Sequence, residues 1–183
     1  MKLDEVTISR CIVESYAEKL LGLLEVDVAM VGAGPANLTA GYYLGRSGYR
    51  AVLFESKLAP GGGMWGGGML FNEAVLQEEA ALIADEMGIR LTHRGGGYYT
   101  FDTVEGAACL TCRCIQAGSR ILNGVKVEDV CFQEEDGRKR VNGLVINWSP
   151  VKAIDLHVDP IAIRAAYVID GTGHPAEITT ILT

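Results

Sequence analysis

The stretch from Val26 to Glu55 limits the folds open to this chain more than any other. VDVAMV at 26–31 is a short β-prone apolar run, the pattern of a strand buried on both faces. It runs into Gly32-Ala33-Gly34-Pro35-Ala36-Asn37, after which Leu38 to Leu44 resumes with helical character. RAVLF at 50–54 is a second strand, ending in Glu55 about 20 residues after the second glycine. Strand, glycine turn, helix, strand, acid is the order in which a parallel βαβ unit holds a dinucleotide. Gly32 makes the tight turn, Gly34 lets a pyrophosphate approach, and the helix start offers N–H donors to phosphate. Glu55 suits ribose hydroxyls, and its charge repels a 2′-phosphate, which argues against NADP. The third glycine of the fingerprint is replaced by Asn37, expected to crowd the helix–strand contact and shift the first helix by a fraction of an ångström.

A second glycine segment follows, GGGMWGGGMLF at 61–71. Glycine loses more backbone entropy on ordering than any other residue, so ordering such a segment costs several kcal/mol. That cost suits a backbone that passes close to a ligand or takes positive φ repeatedly. A floppy linker would be rich in Ser and Lys and would not carry Met64, Trp65, Met69, Leu70 and Phe71.

At 183 residues, 49% hydrophobic and 21% charged, the chain is long enough for one domain with a real core. A net charge of −7 without a basic cluster argues against nucleic acid as a partner. No apolar run is long enough to span a bilayer and the start lacks a signal-peptide pattern, so no membrane partner is expected. The odd count of five cysteines fits reduced thiols in the cytoplasm.

Ile8, Ile12, Tyr16, Leu20 and Leu24 recur at near-helical spacing and predict an amphipathic helix over 7–22. A helix is expected over 73–87, with Leu76, Ala80, Ile83 and Met87 on its apolar face and Gly88 stopping it. Short strands are expected at 89–92 and 98–101, and a helix over 102–116 ended by Gly118. Strands at 125–132 and 141–147 are joined by the charged turn Glu134-Glu135-Asp136-Gly137-Arg138. Tyr167-Val168-Ile169 then runs as a strand into Asp170-Gly171-Thr172-Gly173-His174. The expected fold is α/β of Rossmann type over residues 1–183, with a mainly parallel open sheet and a small inserted β element.

Cys109, Cys112 and Cys114 have a metal-like spacing, but on a helix 109 and 112 share a face while 114 points elsewhere. They read as small hydrophobes, as do Cys11 and Cys131 in the core. His157, Asp159 and His174 form a better constellation, since imidazole plus carboxylate suits Fe(II), Zn or Mn. Equally, Asp159 can cap the turn Pro160-Ile161-Ala162 while His174 hydrogen-bonds in a loop. His93 reads as a surface residue.

Together GAGPAN (32–37), FESK (54–57), GGGMWGGGMLFN (61–72), VINWSPV (145–151), LHVDP (156–160) and DGTGHPAE (170–177) resemble the thiamine thiazole synthase family, closest to its sulfide-using prokaryotic branch. The resemblance runs from the first helix to the last residues. It implies a Rossmann-type enzyme that consumes NAD as substrate, releases nicotinamide, joins the ADP-ribose portion to glycine and builds an ADP-linked thiazole with Fe(II). By position it implies that Ala36, Glu55, Ser56, Gly63 and Val127 line the NAD site and that His157 and Val158 touch the NAD-derived ligand, with Asp159 beside them. Asp159 and His174 match the family's iron ligands, shared between subunits of a homo-octamer. At position 157 the eukaryotic branch has a sulfur-donating cysteine. The histidine here implies free sulfide as donor, multiple turnover, and an acid–base or orienting role for His157.

Gly171 and Pro175 depart from residues common in the family. The family's later arginine–methionine segment, which holds glycine and nucleotide, has no counterpart before Thr183, so a fragment or a truncated enzyme with impaired catalysis is expected. Two other readings are a flavin-dependent oxidoreductase, since Glu55 and Gly61-Gly62 also suit FAD, and a non-catalytic nucleotide-binding module.

Overall fold

The computed structural model describes residues 3–135 and 137–182, so Asp136 of the expected charged turn and Thr183 lie outside the described residues. Helix α1 (Glu5–Leu21) leads into β1 (Glu25–Val31), α2 (Pro35–Arg46) and β2 (Ala51–Glu55). A 3-10 turn at Gly62–Gly66 precedes β3 (Glu73–Gln77), α3 (Glu78–Glu86), β4 (Thr92–Gly95), β5 (Tyr98–Asp102) and α4 (Thr103–Gln116). Then come β6 (Arg120–Asn123), β7 (Val125–Glu135), β8 (Arg138–Trp148), α5 (Ser149–Ala153), β9 (Ile161–Asp170) and α6 (Glu177–Leu182).

Six strands form one sheet in the order β6-β2-β1-β9-β8-β7. β1 is parallel to both β2 and β9, and β2 is parallel to β6, while β8 pairs antiparallel with β7 and β9. The expected mainly parallel α/β sheet is therefore present, with an antiparallel hairpin on one edge. β3, β5 and β4 make a separate antiparallel sheet, the inserted β element. Apolar side chains fill both faces of the central strands. Val52, Phe54 and Leu144 belong to one core cluster and Met30, Leu38 and Leu53 to the other. That arrangement explains the apolar runs at 28–31 in β1 and 51–54 in β2.

The helix expected over 73–87 is two elements. EAVLQ pairs with β5, Ala74 opposite Phe101 and Leu76 opposite Tyr99, and the helix starts only at Glu78. Ala74 and Leu76 alternate inward with period two, which a helical reading of the same residues conceals. The strand expected at 89–92 begins instead at Thr92, and Ile89 fills core space from the preceding turn. α1 forms, but it buries none of its residues. Tyr16 and Leu20 pack at the core edge, whereas Ile12 is 65% exposed. Cys11 is likewise exposed rather than in the core, and Cys114 is the buried member of its trio.

Candidate functional site

The carboxyl ends of β1, β2 and β9 meet the start of α2 around a cavity of about 440 Å³. Its walls include Gly32, Gly34 and Ala36 from the first glycine turn and the start of α2, Glu55 and Ser56 at the end of β2 and just beyond it, Gly63 from the second glycine segment, and Val127 from β7. These seven expected residues come together from four separate parts of the chain.

Glu55 organises one wall. It is 6% exposed, its Oε2 accepts the Ala33 N–H at 2.8 Å, and its Oε1 accepts the Lys57 N–H at 2.8 Å. A carboxylate offers about four lone-pair sites, so capacity remains for hydroxyls of a ligand. Gly32 has φ 84, and a Cβ there would stand 2.7 Å from the Gly171 carbonyl oxygen, which excludes every other residue from the turn. Gly34 and Gly63 differ: an added Cβ would meet nothing within 4 Å at either position, although both line the cavity. The space left beside these two backbones is open for a ligand to approach. α2 has no side-chain cap, so its first N–H groups are left for an anion at the helix start to satisfy.

The two glycine segments touch. The Gly61 N–H donates to the Ala33 carbonyl at 2.7 Å, and Gly62 lies so close that a Cβ would be 3.1 Å from Gly34 Cα. Gly61, Gly62 and Gly67 all take positive φ, as do Met69 and Leu70. The side chains of Met69, Leu70 and Phe71 stand in solvent, 85%, 90% and 65% exposed.

Asn37 does not wedge helix and strand apart as expected. It is buried, and its Nδ2 donates to the carbonyls of Val31 at 3.0 Å and Gly32 at 2.8 Å, tying the end of β1 to α2. The room comes from Gly171, where a Cβ would be 2.1 Å from that Nδ2. The two departures noted in the sequence are thus one packing arrangement.

Asp170 ends β9 and fixes the turn toward His174. Burial raises its pKa, but donation from the Thr172 hydroxyl, the backbone N–H groups of Thr179 and Thr172 and the Thr179 hydroxyl outweigh burial and hold it at about 2. Ile178 N–H donates to it as well, at 3.1 Å.

His157 and Val158 do not line the glycine-walled cavity. They line another of about 330 Å³ with Glu128, Asn147 and Asp155, and Asn147 Nδ2 donates to the Val158 carbonyl at 3.1 Å. Asp159 and His174 are exposed and line neither cavity. Among the described residues no three His, Cys, Asp or Glu side chains cluster as a metal site. The trio Cys109, Cys112 and Cys114 forms none either, and burial pushes the Cys114 thiol up to about 11 against the weaker effect of Ser119. Lys126, Thr172, Gly173 and Glu177 also border the glycine-walled cavity and were not expected from sequence. Lys126 sits between two buried valines, so only the strand alternation Val125-Lys126-Val127 signalled its outward position.

Fold and cavity define a Rossmann-type α/β protein, and a likeness at 16% identity to the FAD-dependent halogenase CndH, TM-score 0.63 over 86% of this chain and 39% of that one, reflects the fold alone. Residues 9–183 match the Thi4 family, and the chain belongs to it. It is 51% identical over 182 residues to a thiamine thiazole synthase of Methanothermobacter thermautotrophicus, covering all of this chain and 69% of that protein. The thiamine thiazole synthase of Pyrococcus furiosus is 51% identical over 98% of this chain and 70% of its own length. The crystal structure of Thermovibrio ammonificans THI4 superposes with a TM-score of 0.97 at 47% identity, over 100% of this chain and 70% of that one.

Proposed function

We propose that the chain is a sulfide-dependent thiamine thiazole synthase that turns NAD, glycine and sulfide into the ADP-linked thiazole precursor of thiamine with release of nicotinamide. The observation that carries this reading is the cavity built from Gly32, Gly34, Glu55 and Gly63, in a chain 51% identical across its length to a protein of that name. In this reading the adenosine ribose of NAD is held by the free lone pairs of Glu55. The diphosphate lies against the start of α2 and beside Gly34 and Gly63. Val127 borders the same ligand.

Asp159 and His174 would hold Fe(II), and their donor set fits it in kind. Among the described residues of one chain no third ligand joins them, and in this reading the site is shared with a neighbouring copy in a homo-octamer. Bound there, Fe(II) supplies a Lewis acid that binds sulfide and polarises carbonyl oxygens. His157 orients the glycine-bearing end of the ligand or moves a proton there, and it has no sulfur to give. The exposed apolar residues of α1 and of 69–71 favour association of copies. No helix among the described residues is long and apolar enough to cross a membrane.

The test is an anaerobic incubation with NAD, glycine, sulfide and Fe(II), followed by mass spectrometry. Adenylated thiazole and nicotinamide in excess of protein are expected. NAD binding without product would leave a nucleotide-binding module, and co-purified flavin would favour the oxidoreductase.

A further inference from the structure

Lys126 and Glu177 both line the glycine-walled cavity and form an ion pair with each other. Among the described residues it is the one ion pair with both members on that wall. It joins two elements that touch: Lys126 projects from β7 between Val125 and Val127, and Glu177 opens α6, four residues after Gly173. Glu177 is itself fixed there, its N–H donating to Thr172 Oγ1 at 2.8 Å.

Four charged side chains border this cavity, Glu55, Lys57, Lys126 and Glu177, and the last two pair with each other. Glu55 accepts the N–H of Ala33 in the glycine turn and the N–H of Lys57 just beyond β2. Glu177 is a second carboxylate on the wall, and an unpaired carboxylate facing a diphosphate is repulsive. Lys126 neutralises it. A lysine side chain is a flexible stem with three donors, so it can leave one oxygen for another at small cost in geometry. Glu177, with its side chain 45% exposed, can be solvated when released, whereas Lys126, at 32%, is the more enclosed partner.

We propose that Lys126 and Glu177 form a latch on the wall of the cavity, and that Lys126 exchanges the Glu177 carboxylate for a phosphate oxygen of the bound ligand. The proposal rests on the dinucleotide reading given above. Glu177 is then a built-in competitor: it weakens binding of any diphosphate ligand and thereby speeds its release. Lys126 selects for the phosphate-bearing part of the ligand and is indifferent to its adenosine.

Calorimetric titration of ADP-ribose, with adenosine as the phosphate-free control, tests this on the wild-type chain and on K126M, K126R, E177Q and the K126M/E177Q double variant. K126M is expected to weaken ADP-ribose about tenfold, the scale of one charge-assisted hydrogen bond, and K126R to restore most of it. E177Q is expected to tighten ADP-ribose about threefold, and to do so only where Lys126 is present. Adenosine is expected to bind all five alike. A purely structural ion pair would make K126M and E177Q weaken binding together, and that outcome overturns the latch. K126M binding ADP-ribose as tightly as wild type overturns it too. Should K126M fail to fold, an E177Q chain with unchanged affinity is enough to reject it. If the wild-type chain does not bind ADP-ribose at all, both the latch and the dinucleotide reading fall.

Discussion

At the scale of single residues, Asn37 and Gly171 carry the most information. The amide of Asn37 donates to two carbonyls where β1 ends, that of Gly32 and that of Val31, which also accepts the Gly171 N–H, and it occupies the volume that a side chain at 171 would need. Gly171→Ala is therefore expected to cost about 3 kcal/mol. Asn37→Gly, which restores the fingerprint glycine, is expected to cost about 2 kcal/mol by removing both amide hydrogen bonds and taking the donor from the Gly32 carbonyl, while Val31 keeps the Gly171 N–H. The double variant should cost clearly less than the sum, which urea denaturation of the four chains measures. Asp170 gives a pH signature. Its folded pKa of about 2 lies below the ordinary 3.8, so folding favours its charged form. The stability it adds is complete above the ordinary value and is lost as pH falls through that value toward 2. Asp170→Asn is expected to lower stability by about 2 kcal/mol at neutral pH, with a smaller difference from wild type near pH 2. Urea midpoints at pH 7 and near pH 2 check the sign.

At the scale of elements, the glycine segment is an ordered piece of the cavity wall rather than a linker. Gly67 sits at φ 54 with ψ −157, and a Cβ there would lie 1.8 Å from the Phe71 carbonyl oxygen. Gly67→Ala is expected to cost about 3 kcal/mol or to detach the segment, weakening ADP-ribose binding, while Gly63→Ala folds normally and weakens binding by filling ligand space. Thermal melts beside the same titration separate the two effects. The βαβ unit was legible because its signals are local: an apolar run, a glycine turn and an acid at fixed distance. The 73–77 strand was not, because its partner lies at 98–102 and only pairing distinguishes EAVLQ from a helical turn. β6 and α5 are four and five residues long, too short for periodicity to register. His157, Asp159 and His174 were visible as a chemical set, yet their placement depends on loops whose direction no local pattern encodes.

At the scale of the whole molecule, the surface leaves large apolar side chains in solvent. α1 presents Val6, Ile12 and Val13 at 69%, 65% and 66% exposure, and the 69–71 tip adds three more large apolar side chains. Light scattering is expected to report an oligomer, and an Ile12→Asp/Val13→Asp chain a smaller particle with an unchanged circular dichroism spectrum; a monomeric wild type would contradict the octamer reading. The hydrogen bond from Gly61 to Ala33 has a consequence of a different kind. It places one amide from the middle of a glycine-rich loop under the control of the first strand's terminus. That amide is released to solvent deuterium only when the β1–α2 junction opens. A loop that composition marks as the most mobile part of the chain then contains a proton that exchanges on the clock of the sheet.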